Sequence, residues 1–569
     1  MRTPVALDDV EPAGDLRRRA ELNLRRLHDA EFQFDAMMSA FTAREAPGDW
    51  VGRCLLALVQ HARLLGHEAS HLREIVERLP LAFNARGYLG EVQPPGTADE
   101  NRLGGHNALL RALCEYHRWR PDERVLGMLR SVITGLMLPT LALWAEYPDE
   151  PDPGLRDNRL VGLTMRRTTG SWRGLSTDIG VGFFVLDGLT QAYVVDPSPE
   201  LRELVETVLA RYVRFDPVAH SAQTHSTLST LRGILRWWRE VDPRPELLGL
   251  VLDRWRLYRG QAETEHHANY NWFGRPDWTE PCAIVDAFLL AVQLWSATGD
   301  ADHLEEAHRI YHNALRHAQR PNGGFGCDLC TGARGLIAAA PHEFFEAPWC
   351  CTMRGAEGLA RAAQFGWFTG PEEIVLPFYF GGTARLEFPD GAVRLAQETG
   401  YPEDGYVRLR VLDCTLARRK TVRFFAPSWS PPTSFRITHD GVPVAVTPEA
   451  GFAVVELSLR AGDEIAAEFP LERTKTALQN PARQPGHHRY AHGPLLLGVA
   501  EDGADASGDS AEAGARSKRD SSGEPVFVPL GRARYRIAAS GDVLAPLPAL
   551  VDVSEEKARA ARTRIVFAD

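Results

Sequence analysis

Lysine is almost missing from this chain. Of 64 cationic residues only Lys420, Lys475, Lys518 and Lys557 are lysines, and the first 400 residues use arginine alone. Arginine keeps its charge at any accessible pH and forks onto carboxylates, but so uniform a preference reads as genomic base composition rather than local chemistry. Basic runs are also lacking: none exceeds three residues, and the formal net charge is −11. A surface that tracks phosphates needs clustered cations, so nucleic acid is excluded as a default partner. No stretch approaches the roughly 18 to 20 continuous apolar residues of a membrane span, so no membrane partner is expected. The first residues, Met1 to Leu24, lack the basic, apolar, small-residue order of a secretory leader, and the expected location is cytoplasmic. Cysteine is sparse as well. Eight residues, at 54, 114, 282, 327, 330, 350, 351 and 414, are too few in 569 for a disulfide framework. In a reducing compartment, clustered thiols point to metal binding or catalysis.

What is present is a long helical grammar. Up to about residue 370 apolar residues recur at helical spacing, as in Leu55, Leu56, Leu58 and Val59, or Leu109, Leu110, Leu113 and Tyr116. Short Pro, Gly and Asp punctuation separates these segments. Helix after helix with no strand between them predicts a toroid, two concentric rings of antiparallel helices, over residues 1–371. Beyond 372 the period changes to two: Val407, Leu409 and Val411 alternate with their neighbours, and Asp-Gly and Gly-Asp turn signals recur. Residues 372–500 are therefore expected to form an antiparallel β-sandwich. Residues 501–524 collapse to Glu, Asp, Gly, Ala and Ser, too polar to order themselves. Residues 525–569 alternate again and should return a strand or two to a sheet. The fold class is thus α+β multidomain, an N-terminal (α/α) toroid followed by a β-sandwich.

The densest chemistry lies in Trp278-Thr279-Glu280-Pro281-Cys282 and, some 70 residues later, Trp349-Cys350-Cys351-Thr352-Met353-Arg354. Glu280 and Cys282 stand at the mouth of a helix that begins near Pro281, where unpaired amides favour anions. Adjacent cysteines do not readily pair with each other but can share one cation. One glutamate oxygen and three thiolates complete a tetrahedral zinc shell, with Zn–S near ~2.3 Å. Two other readings stay open here. The cysteines could be core packing, or Cys327-x-x-Cys330 could join Cys350 and Cys351 in a closed structural zinc site. Nearby, Asn269-Tyr270-Asn271-Trp272-Phe273 offers flat faces and amides suited to sugar rings, with Tyr270 and Asn271 the candidate contacts; Trp349 abuts the cysteine pair. His308 and His312 stand four apart on what reads as a solvated outer helix, and a metal role is rejected for them.

The Glu280-Pro-Cys282 step, the Cys350-Cys351 pair and the closing Tyr490-Ala-His-Gly-Pro-Leu-Leu resemble the zinc-dependent, cysteine-using β-L-arabinofuranosidase type of glycoside hydrolase over roughly residues 45 to 500. The resemblance implies a retaining exo-hydrolase that releases a furanose from a small carbohydrate. It implies zinc held by Glu280, Cys282, Cys350 and Cys351, with Cys350 as nucleophile. It places an acid/base glutamate some fifteen residues ahead of Glu280, which favours Glu265, with Glu263, Glu343 and Glu346 as alternates. It also sets His106 and His225 against the sugar. A catalytically silent sugar-binding relative with a structural zinc is the alternative, and a lyase or isomerase on uronic acids rests on fold plan alone. The assembly is open to a homodimer.

Overall fold

A computed structural model describes residues 2–40, 45–148, 167–176, 178–276, 278–331, 335–479, 484–501, 526–538 and 540–568. Six helices close an inner ring: Asp49–Leu65, Glu100–Trp119, Val185–Val195, Thr224–Glu240, Pro281–Thr298 and Cys351–Phe365 each pack on the next, and the last returns to the first. Outside them Ser70–Arg78, Glu123–Val132, Pro199–Arg214, Pro245–Gln261, Ala301–Arg309 and Gly14–Arg26 each lie against one ring helix. The sequence explains the sorting. Pro281–Thr298 is apolar nearly all round and is buried along most of its length, whereas Pro199–Arg214 buries only the stripe Leu201, Leu204, Val205, Val208, Leu209 and Tyr212. This is the expected (α/α) toroid. Glycines let the first two ring helices close: a Cβ on Gly52 would stand 2.4 Å from the Leu109 amide nitrogen.

Two stretches, Glu123–Glu146 and Pro281–Thr298, are long and apolar enough by composition to cross a membrane. The second has 78% of its apolar window buried inside the fold, so core packing accounts for its composition.

The middle of the ring is ionic rather than apolar. Arg111 meets Asp187 at 3.0 Å and Glu357 at 2.5 Å, Arg232 meets Asp286 at 2.5 Å, Arg236 meets Asp187 at 2.8 Å, and Arg354 bridges Asp286 and Glu357. Burial alone would raise the carboxyl pKa values of Asp187 and Asp286, but the surrounding guanidiniums outweigh it and hold both well below the usual range.

The β-rich part contains two packed sheets and a third sheet beside them. One sheet runs Thr3–Pro4, Phe368–Thr369, Glu373–Leu376, Lys420–Phe425, Phe452–Leu457, Thr447–Glu449. Its Glu373–Leu376 and Lys420–Phe425 strands are parallel, an exception to the antiparallel pattern expected from the turn signals. The other runs Val442–Pro443, Arg436–His439, Glu464–Glu468, Tyr406–Cys414, Gly391–Thr399, Gly382–Phe388, Val10–Pro12. The first dozen residues thus belong to the sandwich edges rather than to the toroid. Short strands here give no helical period to read. Strands from 473–500 and 527–568 share the third sheet with a hairpin, Asp328–Thr331 and Leu336–Ala339, that projects from the toroid. Beyond Glu501, the segment expected to be disordered lies outside the described residues.

His308 and His312 are not on a solvated face. Both are buried where the toroid meets the sandwich. His308 Nε2 donates to the Pro377 carbonyl at 2.8 Å, its Nδ1 accepts from the Tyr401 hydroxyl at 2.8 Å, and its ring stacks on Phe378 at 4.3 Å. Burial brings its pKa down to about 3, and likewise brings His61 to about 3 and His106 to about 4. In the unfolded chain each takes up a proton near ~6.5, so their contribution is intact above that pH and is lost as pH falls toward 3 to 4. A stability loss of about 2 kcal/mol per histidine is expected at pH 5. Thermal unfolding followed from pH 7.5 to 5 should show a steadily falling midpoint; a level profile would contradict it.

Candidate thiol and carboxylate active site

The N-terminal ends of the six ring helices converge on one cavity of about 530 Å³. Asp49 and Arg53, Asn101 and Gly105, Val181 and Phe184, Gln223 and His225, Glu280, and Cys350 and Cys351 come from the six entries in turn. Unpaired amides at these ends concentrate positive potential, which suits carboxylates and thiolates.

The elements that carry the metal candidates explain their meeting. Glu280 caps Pro281–Thr298, so Cys282 sits in its first turn; Cys350 caps Cys351–Phe365, the neighbouring ring helix. The sulfurs of Cys282 and Cys351 are 3.8 Å apart and those of Cys350 and Cys351 3.3 Å apart. All three lie within 4.8 Å of one another. A tetrahedron with Zn–S bonds of ~2.3 Å has edges of about 3.8 Å, so the sulfur spacing suits such an ion. Glu280 clusters within 4.8 Å with Cys282 and His225: one oxygen is 3.4 Å from His225 Nδ1, and the other, Oε2, is buried with no hydrogen-bond partner. An orphaned carboxylate oxygen beside three clustered thiols fits a cation. Without one, burial and mutual hydrogen bonding hold the Cys282, Cys350 and Cys351 thiols well above their usual range. Arg53 points Nη1 at Cys282 Sγ from 3.7 Å and is itself held by Asp49 at 2.7 Å.

The remaining cysteines do not complete a second site. All eight are free thiols. Cys327 lines the cavity, but Cys330 turns to His266 Nδ1 at 3.7 Å, so the C-x-x-C pair is split across its strand. Side chains on adjacent alternating positions diverge. Cys54 and Cys114 are buried in the ring, and Cys414 donates to the Leu459 carbonyl.

His225, Asn271 and Trp349 line the cavity with the cysteines. His225 Nε2 lies 3.1 Å from Asp286 Oδ2 and its ring packs edge-on to Phe184 at 4.6 Å. Asn271 is fixed by its backbone, which donates to the Trp278 carbonyl and accepts from the Thr224 amide, while its buried side-chain Oδ1 has no partner. Trp278 and Phe344 add flat walls.

Three expected residues are elsewhere. His106 is off the cavity wall: its Nε2 accepts from the Leu89 amide and its Nδ1 donates to the Arg102 carbonyl, so both nitrogens are used by backbone. Tyr270 is buried beside the wall, one residue off the Asn271 face. Glu265 is turned away to the third sheet, where its Oε2 accepts from the Gln479 amide at 2.8 Å and lies 3.5 Å from Arg489. Among its alternates, Glu263 is locked with His267, Glu306 and Arg259, and Glu346 with Arg26, Asn322 and Thr352. Glu343 alone of the four lines the cavity. Asp178, Asp286 and Arg53 carry no sequence signal; nothing in their local pattern distinguishes them from ordinary helix and loop residues.

A ring of helices whose amide ends surround a thiol and carboxylate cluster, with a sandwich behind it, defines the class. Residues 373–471 match the family model for the beta-L-arabinofuranosidase GH127 middle domain. The whole chain superimposes on a GH127 beta-arabinofuranosidase at TM-score 0.71 with 12% identity, covering 100% of this chain and 98% of that one. It superimposes on a GH127 beta-L-arabinofuranosidase from Geobacillus stearothermophilus T6 at TM-score 0.70 with 14% identity, covering 98% and 99%. A third structure, described as a glycoside hydrolase, matches at TM-score 0.68 and 14% identity over 100% and 97%. No curated protein sequence matches. The resemblance read from the cysteine and glutamate motifs thus meets a family match over the sandwich and a shared fold over the full length.

Proposed function

We propose that this protein is a retaining exo-glycoside hydrolase that releases a β-L-arabinofuranoside-like sugar with Cys350 as nucleophile. The observation that carries the reading is the meeting of Cys350, Cys351 and the orphaned Glu280 carboxylate on one sugar-sized cavity, with the Cys282 sulfur 3.8 Å from that of Cys351. Glu280, Cys282, Cys350 and Cys351 would hold zinc, which would supply thiolates at neutral pH. Of the three thiols, Cys282 is 0% and Cys351 1% exposed, whereas Cys350 is only half-buried, so Cys350 presents its sulfur to a ligand. Its sulfur attacks the anomeric carbon as the leaving oxygen is protonated. Water then displaces the sulfur, and two inversions give net retention. His225, oriented by Asp286, and Asn271 Oδ1 serve sugar hydroxyls, while Trp349 and Trp278 face the ring. Eight reduced thiols accord with action in the cytoplasm.

One observation favours the second reading, a sugar-binding relative without turnover: Glu265 is off the cavity. The test separates them. Purified protein should contain one zinc per chain by mass spectrometry of metals, and should hydrolyse 4-nitrophenyl β-L-arabinofuranoside with retention seen by NMR. Sugar binding with zinc but no turnover across a panel of furanosides would favour the silent relative; absence of zinc would overturn both.

A further inference from the structure

With Glu265, Glu263 and Glu346 all engaged away from Cys350, the proton donor must come from another carboxyl. Five described carboxylates line the cavity: Glu45, Asp49, Asp178, Glu280 and Glu343. Asp49 is held by Arg53 at 2.7 Å, Glu280 belongs to the metal set, and Glu45 has contacts of its own. Glu343 is exposed on a short turn at the rim, away from the buried wall. Asp178 is different: it is 5% exposed, and its Oδ1 accepts a hydrogen bond from Trp272 Nε1 at 3.0 Å. An acid whose first oxygen accepts an N–H carries its proton on the second, so Oδ2 is the donor atom.

We infer that Asp178 is the acid/base of this site and that Trp272 positions it; the inference rests on the hydrolase reading above. In the first step the Cys350 sulfur bonds the anomeric carbon, the glycosidic C–O bond breaks, and the Asp178 proton moves to the leaving oxygen. In the second, Asp178 takes a proton from water as the water oxygen bonds the carbon and the C–S bond breaks. Asp178 shares the cavity wall with Glu280, His225 and Cys350, so a sugar bound there meets the thiol and this carboxyl in one space. Trp272 is held in place by backbone pairing with Gln223 and by Arg275 over its ring at 4.5 Å. The residues just after the stretch that was expected to deliver the acid through Glu263 or Glu265 thus bring Asn271 to the wall and Trp272 to Asp178.

The test is Asp178→Asn in the zinc-loaded full chain, assayed on methyl and on 4-nitrophenyl β-L-arabinofuranoside, with and without sodium azide. Loss of a proton donor should cut turnover of the methyl glycoside by about 10² to 10⁴-fold. The first step on the nitrophenyl glycoside, whose leaving group needs no proton, should be little affected, and azide should yield the arabinofuranosyl azide. Zinc content and circular dichroism should match the unaltered protein. If Asp178→Asn unfolds, Trp272→Phe, which removes the hydrogen bond but keeps the carboxyl, should show the same split more weakly. Undiminished methyl glycoside turnover, equal losses on both substrates without azide product, or the split appearing in Glu343→Gln instead, each overturns the assignment while leaving the hydrolase reading intact. Failure of the unaltered protein to hydrolyse either furanoside overturns both.

Discussion

Cys350→Ala is expected to lower turnover of an arabinofuranoside by about 10⁴-fold or more, because it removes the group that bonds the anomeric carbon. The structure separates this effect from simple loss of metal. Cys350 caps its helix and is only half-buried at the cavity, while Cys282 and Cys351 are sealed at 0% and 1% exposure. Removing either sealed thiol should release zinc and loosen the cavity floor, so zinc content and activity fall together. Cys350→Ala leaves Glu280, Cys282 and Cys351 as donors, so activity should fall further than zinc content. A slow or strained furanoside analogue should also leave a sugar mass on the peptide carrying Cys350 in the unaltered protein and on none in the variant. Retained turnover in Cys350→Ala, or an adduct on another residue, would falsify the nucleophile assignment.

The largest stability effect is expected from Asp286→Ala, at about 3 to 5 kcal/mol, since it strands buried charge. Asp286 is fully buried with Arg232 at 2.5 Å and Arg354 on one oxygen, and His225 3.1 Å from the other. Replacing it leaves two guanidiniums without their carboxylate in the centre of the ring. The charges of Asp187 and Glu357 lie close enough to repair only part of the loss. Urea unfolding should show the destabilisation directly, while Arg17→Ala, which breaks an exposed pair with Glu21, should change stability by less than about 0.5 kcal/mol. Asp286→Asn keeps the shape and part of the hydrogen bonding, so it should cost less in stability yet still weaken sugar turnover through His225. Equal unfolding midpoints for Asp286→Ala and Arg17→Ala would show that the central ions do not hold the ring.

The thiol and carboxylate cluster was legible because its members are local in sequence and chemically rare. Glu280 with Cys282, and Cys350 with Cys351, are short-range pairs, each fixed to the start of a helix, and two such starts only need to be neighbours in the ring to meet. The acid was not legible in the same way. Glu265 has the right spacing from Glu280, but Gln479 and Arg489 of the third sheet, more than 200 residues on, offer a better partner than the cavity does. His106 and His308 show the same limit. A histidine's sequence neighbours do not reveal whether the Leu89 amide or the Pro377 carbonyl will use its nitrogens.

The sequence by itself determined the toroid, the change to strands near residue 370, and the thiols that could hold a metal, because periodicity and residue chemistry are local properties. Only the tertiary structure decided which carboxyls face the cavity. It sent residues 3–12 to the sandwich edges, turned Glu265 and Cys330 away, and placed Asp178 on the cavity wall beneath Trp272. The physical reason is that burial and long-range hydrogen bonding set a side chain's direction and charge, and neither is encoded within a turn or two of the residue itself.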